Sequence, residues 1–94
     1  MLSKLPIDLN KIGKDNIDSE ILRAGIIAEL DAINLYEQMS EMAVDKHLKD
    51  LLLDIAREEK THVGEFQALL LRVDKEQEKE LEKGREEMEE ILEK

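Results

Sequence analysis

Glu59 and His62 stand three residues apart in the stretch "REEKTHVGEF", Arg57 to Phe66. Residues i and i+3 are neighbours on one side of a helix, so a helical reading sets a carboxylate beside an imidazole. A third residue of the same chemistry, Glu29, lies thirty positions before Glu59 among Gly25, Ala28, Ala32, Ile33 and Tyr36, which are otherwise small, apolar or aromatic. Carboxylates turned toward a core are costly unless paired or bound to a metal, and two Glu with one His contain no fixed cation of their own. A divalent metal resolves that cost. Oxygen and imidazole donors without thiolate suit iron or manganese, and zinc would also bind.

Two helices must bring these side chains together. "DSEILRAGIIAELDAINLYEQMSEMAV" places Ile21, Leu22, Gly25, Ala28, Glu29, Ala32, Tyr36, Met39 and Ala43 at three- and four-residue steps, with Asp18 or Ser19 as the expected cap. That predicts a first helix of about 26 residues, roughly 40 Å long. The break falls at "DKHL", with Asp45 as the next cap. A second helix then carries Leu48, Leu52, Ile55, Glu59, His62, Val63, Phe66 and Leu69 or Leu70 on one face. So short a connection makes the two helices antiparallel neighbours. Glu29 lies sixteen residues before the break at 45 and Glu59 fourteen after it, so the three side chains share about the same height.

The chain supplies only one such set. Di-iron carboxylate bundles use a Glu from each of two helices and a Glu-x-x-His from each of two more, so one copy holds half of the ligands. A complete site predicts two copies facing each other across a two-fold axis, each giving Glu29, Glu59 and His62.

The remainder of the chain is organised around this hairpin. Residues 1–17, with the only proline, Pro6, and Gly13, read as an irregular arm; 18–73 form the hairpin; 74–94 form an acidic C-terminal helix opened by Asp74 with Gln77 three positions on. The last segment carries ten acidic and five basic residues, and its apolar stripe is thin: Leu81, Met88, Ile91 and Leu92. Such a helix docks along one edge and is otherwise solvated. Met39, Met42 and Met88 are read as core, and His47, in the first turn of the second helix, as exposed. Glu58 and Glu65 flank the ligands, either as solvated side chains or as part of a metal access path. Asp31, Glu37 and Glu41 are read chiefly as solvated helix-face carboxylates. Tyr36, seven residues after Glu29, is read either as a catalytic residue, hydrogen-bonding a metal carboxylate or donating an electron near the metals, or as an interface aromatic with its hydroxyl satisfied.

Composition narrows the function classes. The chain has 94 residues, 24 acidic against 14 basic, a formal net charge of -10, one Phe, one Tyr and no Trp. So acidic a balance opposes sequence-independent binding to nucleic acid and to anionic membranes. Absence of cysteine excludes disulfides, thiolate zinc sites, iron–sulfur clusters and a rubredoxin-type electron donor within these residues. No run approaches the ~18 apolar residues of a membrane span, and the start lacks a signal-peptide pattern, so a soluble intracellular protein is expected. A core built from aliphatic side chains favours an all-α fold.

"AGIIAELDAINLYEQM", followed thirty-two positions later by "AREEKTHVGEFQALL", resembles the encapsulated ferritins, ferritin-like proteins that work inside encapsulin nanocompartments. The resemblance covers about residues 20 to 73. It implies two long antiparallel helices plus a short C-terminal helix, a ferritin-like four-helix arrangement completed by dimerisation, with five dimers closing into a decameric ring. It implies a ferroxidase that oxidises Fe(II) to Fe(III) at a di-iron centre shared between subunits, with Glu29, Glu59 and His62 as iron ligands and Tyr36 near the centre. Asp31 falls at an acidic iron-access position, while Ala28 stands where some members carry a second access glutamate. The implied partner is the encapsulin shell protein and the implied place is a nanocompartment in the cytoplasm. "REEMEEILEK" lacks the Gly- and Leu-containing tail with which free-standing members dock into the shell, so either the chain is trimmed, or the natural protein is fused to its shell or reaches it otherwise. Peroxide reduction at the same ligands and a non-catalytic, metal-pinned helical oligomer are the competing readings.

Overall fold

The computed structural model describes residues 16–93. Three helices account for nearly all of them: α1 (Ile17–Met42), α2 (Lys46–Val73) and α3 (Lys75–Leu92). Among the described residues there is no strand. The irregular arm expected over 1–17 lies outside the described residues except at its end, where Ile17 already belongs to α1.

The helix ends follow local chemistry at two of three starts. Asp45 opens α2 by accepting the Leu48 N–H on Oδ2 at 2.9 Å. Asp74 opens α3 by accepting the Gln77 N–H on Oδ1 at 3.0 Å. Each bond satisfies one of the backbone donors left over in a first turn. At α1 the expected cap does not operate: the helix begins before Asp18 and Ser19, with Asn16 at the cap position and no side-chain cap bond. Asp18 and Glu20 instead lie in the first turn, where their charge opposes the positive end of the helix dipole.

The link 43–45 folds α2 back along α1, and Lys49 closes the turn. Its Nζ donates to the Ser40 carbonyl at 3.0 Å, while the buried Ser40 hydroxyl donates to the Lys49 carbonyl at 3.1 Å. The last turn of α1 has no basic residue of its own, so α2 supplies the cation that faces its negative end.

The core is the seam between α1 and α2: Leu22 and Ile33 against Leu52, Ala56 and Leu70, with Ala56 2% and Leu70 3% exposed. The seam is narrower than the sequence pattern implies. Ile21, Leu48 and Leu69 fall on its outer margins and are exposed, as are Met42 and Met88, which were expected in the core. Two helices make one layer, and one layer covers only one side of each helix. The radius of gyration is 16.6 Å, against roughly 12 Å for a compact globule of this length, and the smallest dimension is 19 Å. Apolar side chains such as Leu30, Leu51 and Leu53 remain exposed on the plate.

At α3 the solvated reading holds, because none of its residues is buried. Arg85 pairs with Glu82 and Glu89 along the helix, and its hydrogen bond to Glu82 holds that carboxyl below the usual glutamate range.

Candidate metal centre

Glu29 reaches across from α1 to meet Glu59 and His62 of α2. His62 Nδ1 lies 3.4 Å from Glu29 Oε2 and 3.5 Å from Glu59 Oε2. One ligand atom from each of the three falls within 4.8 Å of the others. The spacing within α2 is the i, i+3 relation of one helix face. The crossing to α1 follows from the antiparallel register fixed by the short link.

The electrostatics of the group call for a cation. The Glu29 and Glu59 side chains are 20% and 18% exposed, and His62 is their only ion-pair partner among the described residues. Lys60, next in sequence to Glu59, is engaged instead with Glu37 of α1 at 3.1 Å. Four carboxylate oxygens and an imidazole with no thiolate are a donor set for a hard or borderline divalent metal. Among the described residues this is the one group of three or more such side chains so arranged.

One side of the group is open. A groove of about 460 Å³ runs from Glu29 and His62 past Glu65 and Phe66 to Leu22 and Leu69. The His62 side chain is 45% exposed there. One chain thus offers three side chains that could hold a metal, and a free flank.

Residues 20–93 match the rubrerythrin family profile. The ferritin-like–encapsulin shell fusion protein of Pyrococcus furiosus is 62% identical over 72 residues, which make up 77% of this chain and 21% of that protein. The crystal structure of the encapsulated ferritin domain from Pyrococcus furiosus superposes with a TM-score of 0.80 at 54% identity, covering 96% of this chain and 94% of that one. The chain belongs to the encapsulated ferritin family. It spans about a fifth of the fusion protein. Within this ferritin-like family, iron is the metal that the Glu29, Glu59 and His62 group points to.

Of the other acidic and histidine residues singled out from the sequence, none among the described residues joins that group. Tyr36 is half-buried, and its hydroxyl makes no hydrogen bond to a described residue. Asp31 is half-buried and engaged in an interaction of its own. Glu65 is exposed and lines the groove, whereas Glu58 is exposed outside it. His47 is exposed, as expected. Sequence reasoning passed over the Gly25–Phe66 contact beside the site. Its only signal was a glycine inside a helical pattern.

Proposed function

We propose that the encapsulated ferritin described here is a ferroxidase whose di-iron centre is completed by two copies of the chain. The observation that carries this is the convergence of Glu29, Glu59 and His62, two of which, Glu29 and His62, line an open groove. A second copy related by a two-fold axis would add the same three ligands, making four carboxylates and two imidazoles.

Iron is the substrate in this reading. Two Fe(II) each give up one electron, and one dioxygen takes both electrons with two protons to leave as hydrogen peroxide. Peroxide can serve as the acceptor in its turn. The carboxylates of Glu29 and Glu59 favour the harder ferric product, and His62 supplies the nitrogen donor of each copy. Tyr36 and Asp31 are assigned supporting roles, near the centre and on the access path.

The assembly is a dimer as the active unit, closing into a decameric ring. The exposed Leu30, Leu51 and Leu53 supply apolar surface for such contacts. The shell partner follows from the relative that joins a ferritin-like domain to an encapsulin shell in one chain, and fusion is the docking route it supports. The place of action is then the interior of an encapsulin nanocompartment, where the ferric product would be stored.

The test is stopped-flow absorbance after aerobic addition of Fe(II), with a parallel Fe-to-chain titration and mass measurement of the assembly. The expected result is saturation near about one iron per chain, oxidation above the buffer rate, and loss of both in His62→Ala. Binding without oxidation would sink the ferroxidase reading and leave a metal-pinned oligomer.

A further inference from the structure

Gly25 has no conformational reason to be glycine. It lies inside α1, and no glycine among the described residues has positive φ. A glycine in mid-helix costs stability relative to alanine, so its reason must lie in space. That space is taken by an aromatic ring. A Cβ placed on Gly25 would stand 3.1 Å from Cε1 and Cζ of Phe66 and 3.2 Å from its Cδ1. The same construction at Gly64 and Gly84 meets nothing within 4 Å.

The position of this contact ties it to the metal centre. Gly25 precedes Glu29 by four residues and Phe66 follows His62 by four, about one helical turn in each case. Because α1 and α2 are antiparallel, the Gly25–Phe66 contact lies one turn along from the Glu29–His62 contact on both helices at once. Phe66 also lines the groove with Glu29 and His62. One turn from the ligands on both helices, then, a ring meets bare backbone.

We propose that Gly25 and Phe66 are positioning residues for the metal centre: the ring seated on Gly25 holds α1 and α2 at the separation that lets Glu29 join Glu59 and His62 on one cation. This rests on the reading of those three residues as metal ligands. An added methyl at residue 25 would stand 3.1 Å from the ring, so the ring or α1 must give by a few tenths of an ångström, and either shift is passed one turn along to the ligand atoms.

The experiment titrates the full chain with Co(II), following the visible absorption of the bound ion. Gly25→Ala is expected to bind at least about tenfold more weakly, in the range seen when groups that orient metal ligands are removed, and with a changed absorption band. Gly64→Ala, which makes the same chemical change in open space two residues from His62, is expected to match the wild type in both. Gly25→Ala combined with Phe66→Leu is expected to regain the wild-type affinity and band. Because the clash with Phe66 can offset the helix-favouring effect of alanine, circular dichroism of Gly25→Ala against the wild type is recorded alongside, and matching spectra separate weaker binding from unfolding. The proposal is overturned if Gly25→Ala titrates like the wild type, or if the deficit persists in the double variant. Should the wild type bind no Co(II) and match Glu59→Ala, the metal reading fails first and this one with it.

Discussion

Arg23 of α1 donates from Nη1 to Oδ2 of Asp74 at 3.0 Å, joining the beginning of the chain's first helix to the corner between its last two. Asp74 does three things there. Its extended backbone ends α2, its Oδ1 caps α3, and its Oδ2 holds α1. The pair is partly solvated, with side chains 37% and 24% exposed, so its own contribution is confined to about 0–1 kcal/mol. Asparagine caps a helix about as well as aspartate. Asp74→Asn is therefore expected to lose only the ion pair, under about 1 kcal/mol, and Asp74→Ala to lose about 1 kcal/mol more with the cap. Urea midpoints at one fixed protein concentration measure the difference, since assembly makes stability depend on concentration. Equal losses would show that the cap contributes nothing.

The two bonds between Ser40 and Lys49 are chemically independent, because each uses the side chain of one residue and the carbonyl of the other. Ser40→Ala deletes a buried hydroxyl's bond and is expected to cost about 1 kcal/mol. Lys49→Ala uncovers the last carbonyls of α1 and is expected to cost about 0.5–1 kcal/mol. Each substitution leaves intact the atoms the other bond needs, so the double variant should be additive to within about 0.5 kcal/mol. Urea unfolding of the four proteins checks this. A larger coupling would mean that the hairpin turn rearranges.

Helix identity and order were legible in the sequence wherever a local rule decided them. Asp45 and Asp74 announce α2 and α3 because a carboxylate before an apolar-periodic run reaches the backbone N–H three residues on. The meeting of Glu29 with Glu59 and His62 was also legible, since a three-residue link leaves one register for the hairpin. What escaped depends on contacts between distant residues or on one side of a helix competing with another. Arg23 and Asp74 are 51 residues apart, and no periodicity marks them as partners. Leu48 and Leu69 fit the apolar pattern as well as Leu52 and Leu70 do, yet only the latter lie on the seam. Lys49 caps a helix other than its own, which propensity cannot foresee.

Gly84 interrupts α3 where a Cβ would meet nothing within 4 Å. Its cost is then wholly conformational: extra freedom lost on folding, with no compensating close approach. Gly84→Ala is expected to raise stability by about 0.5–1 kcal/mol, with no change in the mass of the assembly or in the rate of Fe(II) oxidation. Chemical denaturation alongside native mass measurement tests both halves. A smaller assembly would reveal that a neighbouring copy packs against residue 84.

Glu59 offers the sharpest prediction because its effect should reverse sign with metal. In the metal-free chain it is held close to Glu29 with no lysine or arginine among the described residues paired to either, and like charges at such distances cost about 1 kcal/mol even at the dielectric of water. Glu59→Gln keeps the shape and removes one charge, so metal-free protein at neutral pH is expected to gain up to about 1 kcal/mol. Mn(II) at about a hundred times its Kd should then stabilise the wild type by about 2.7 kcal/mol and the variant far less. Thermal unfolding with and without Mn(II) gives all four values at one protein concentration. A variant stabilised by Mn(II) as strongly as the wild type would remove Glu59 from the ligand set. One destabilised without metal would show that the carboxylate is held by packing and hydrogen bonds rather than kept, at a cost, for the cation.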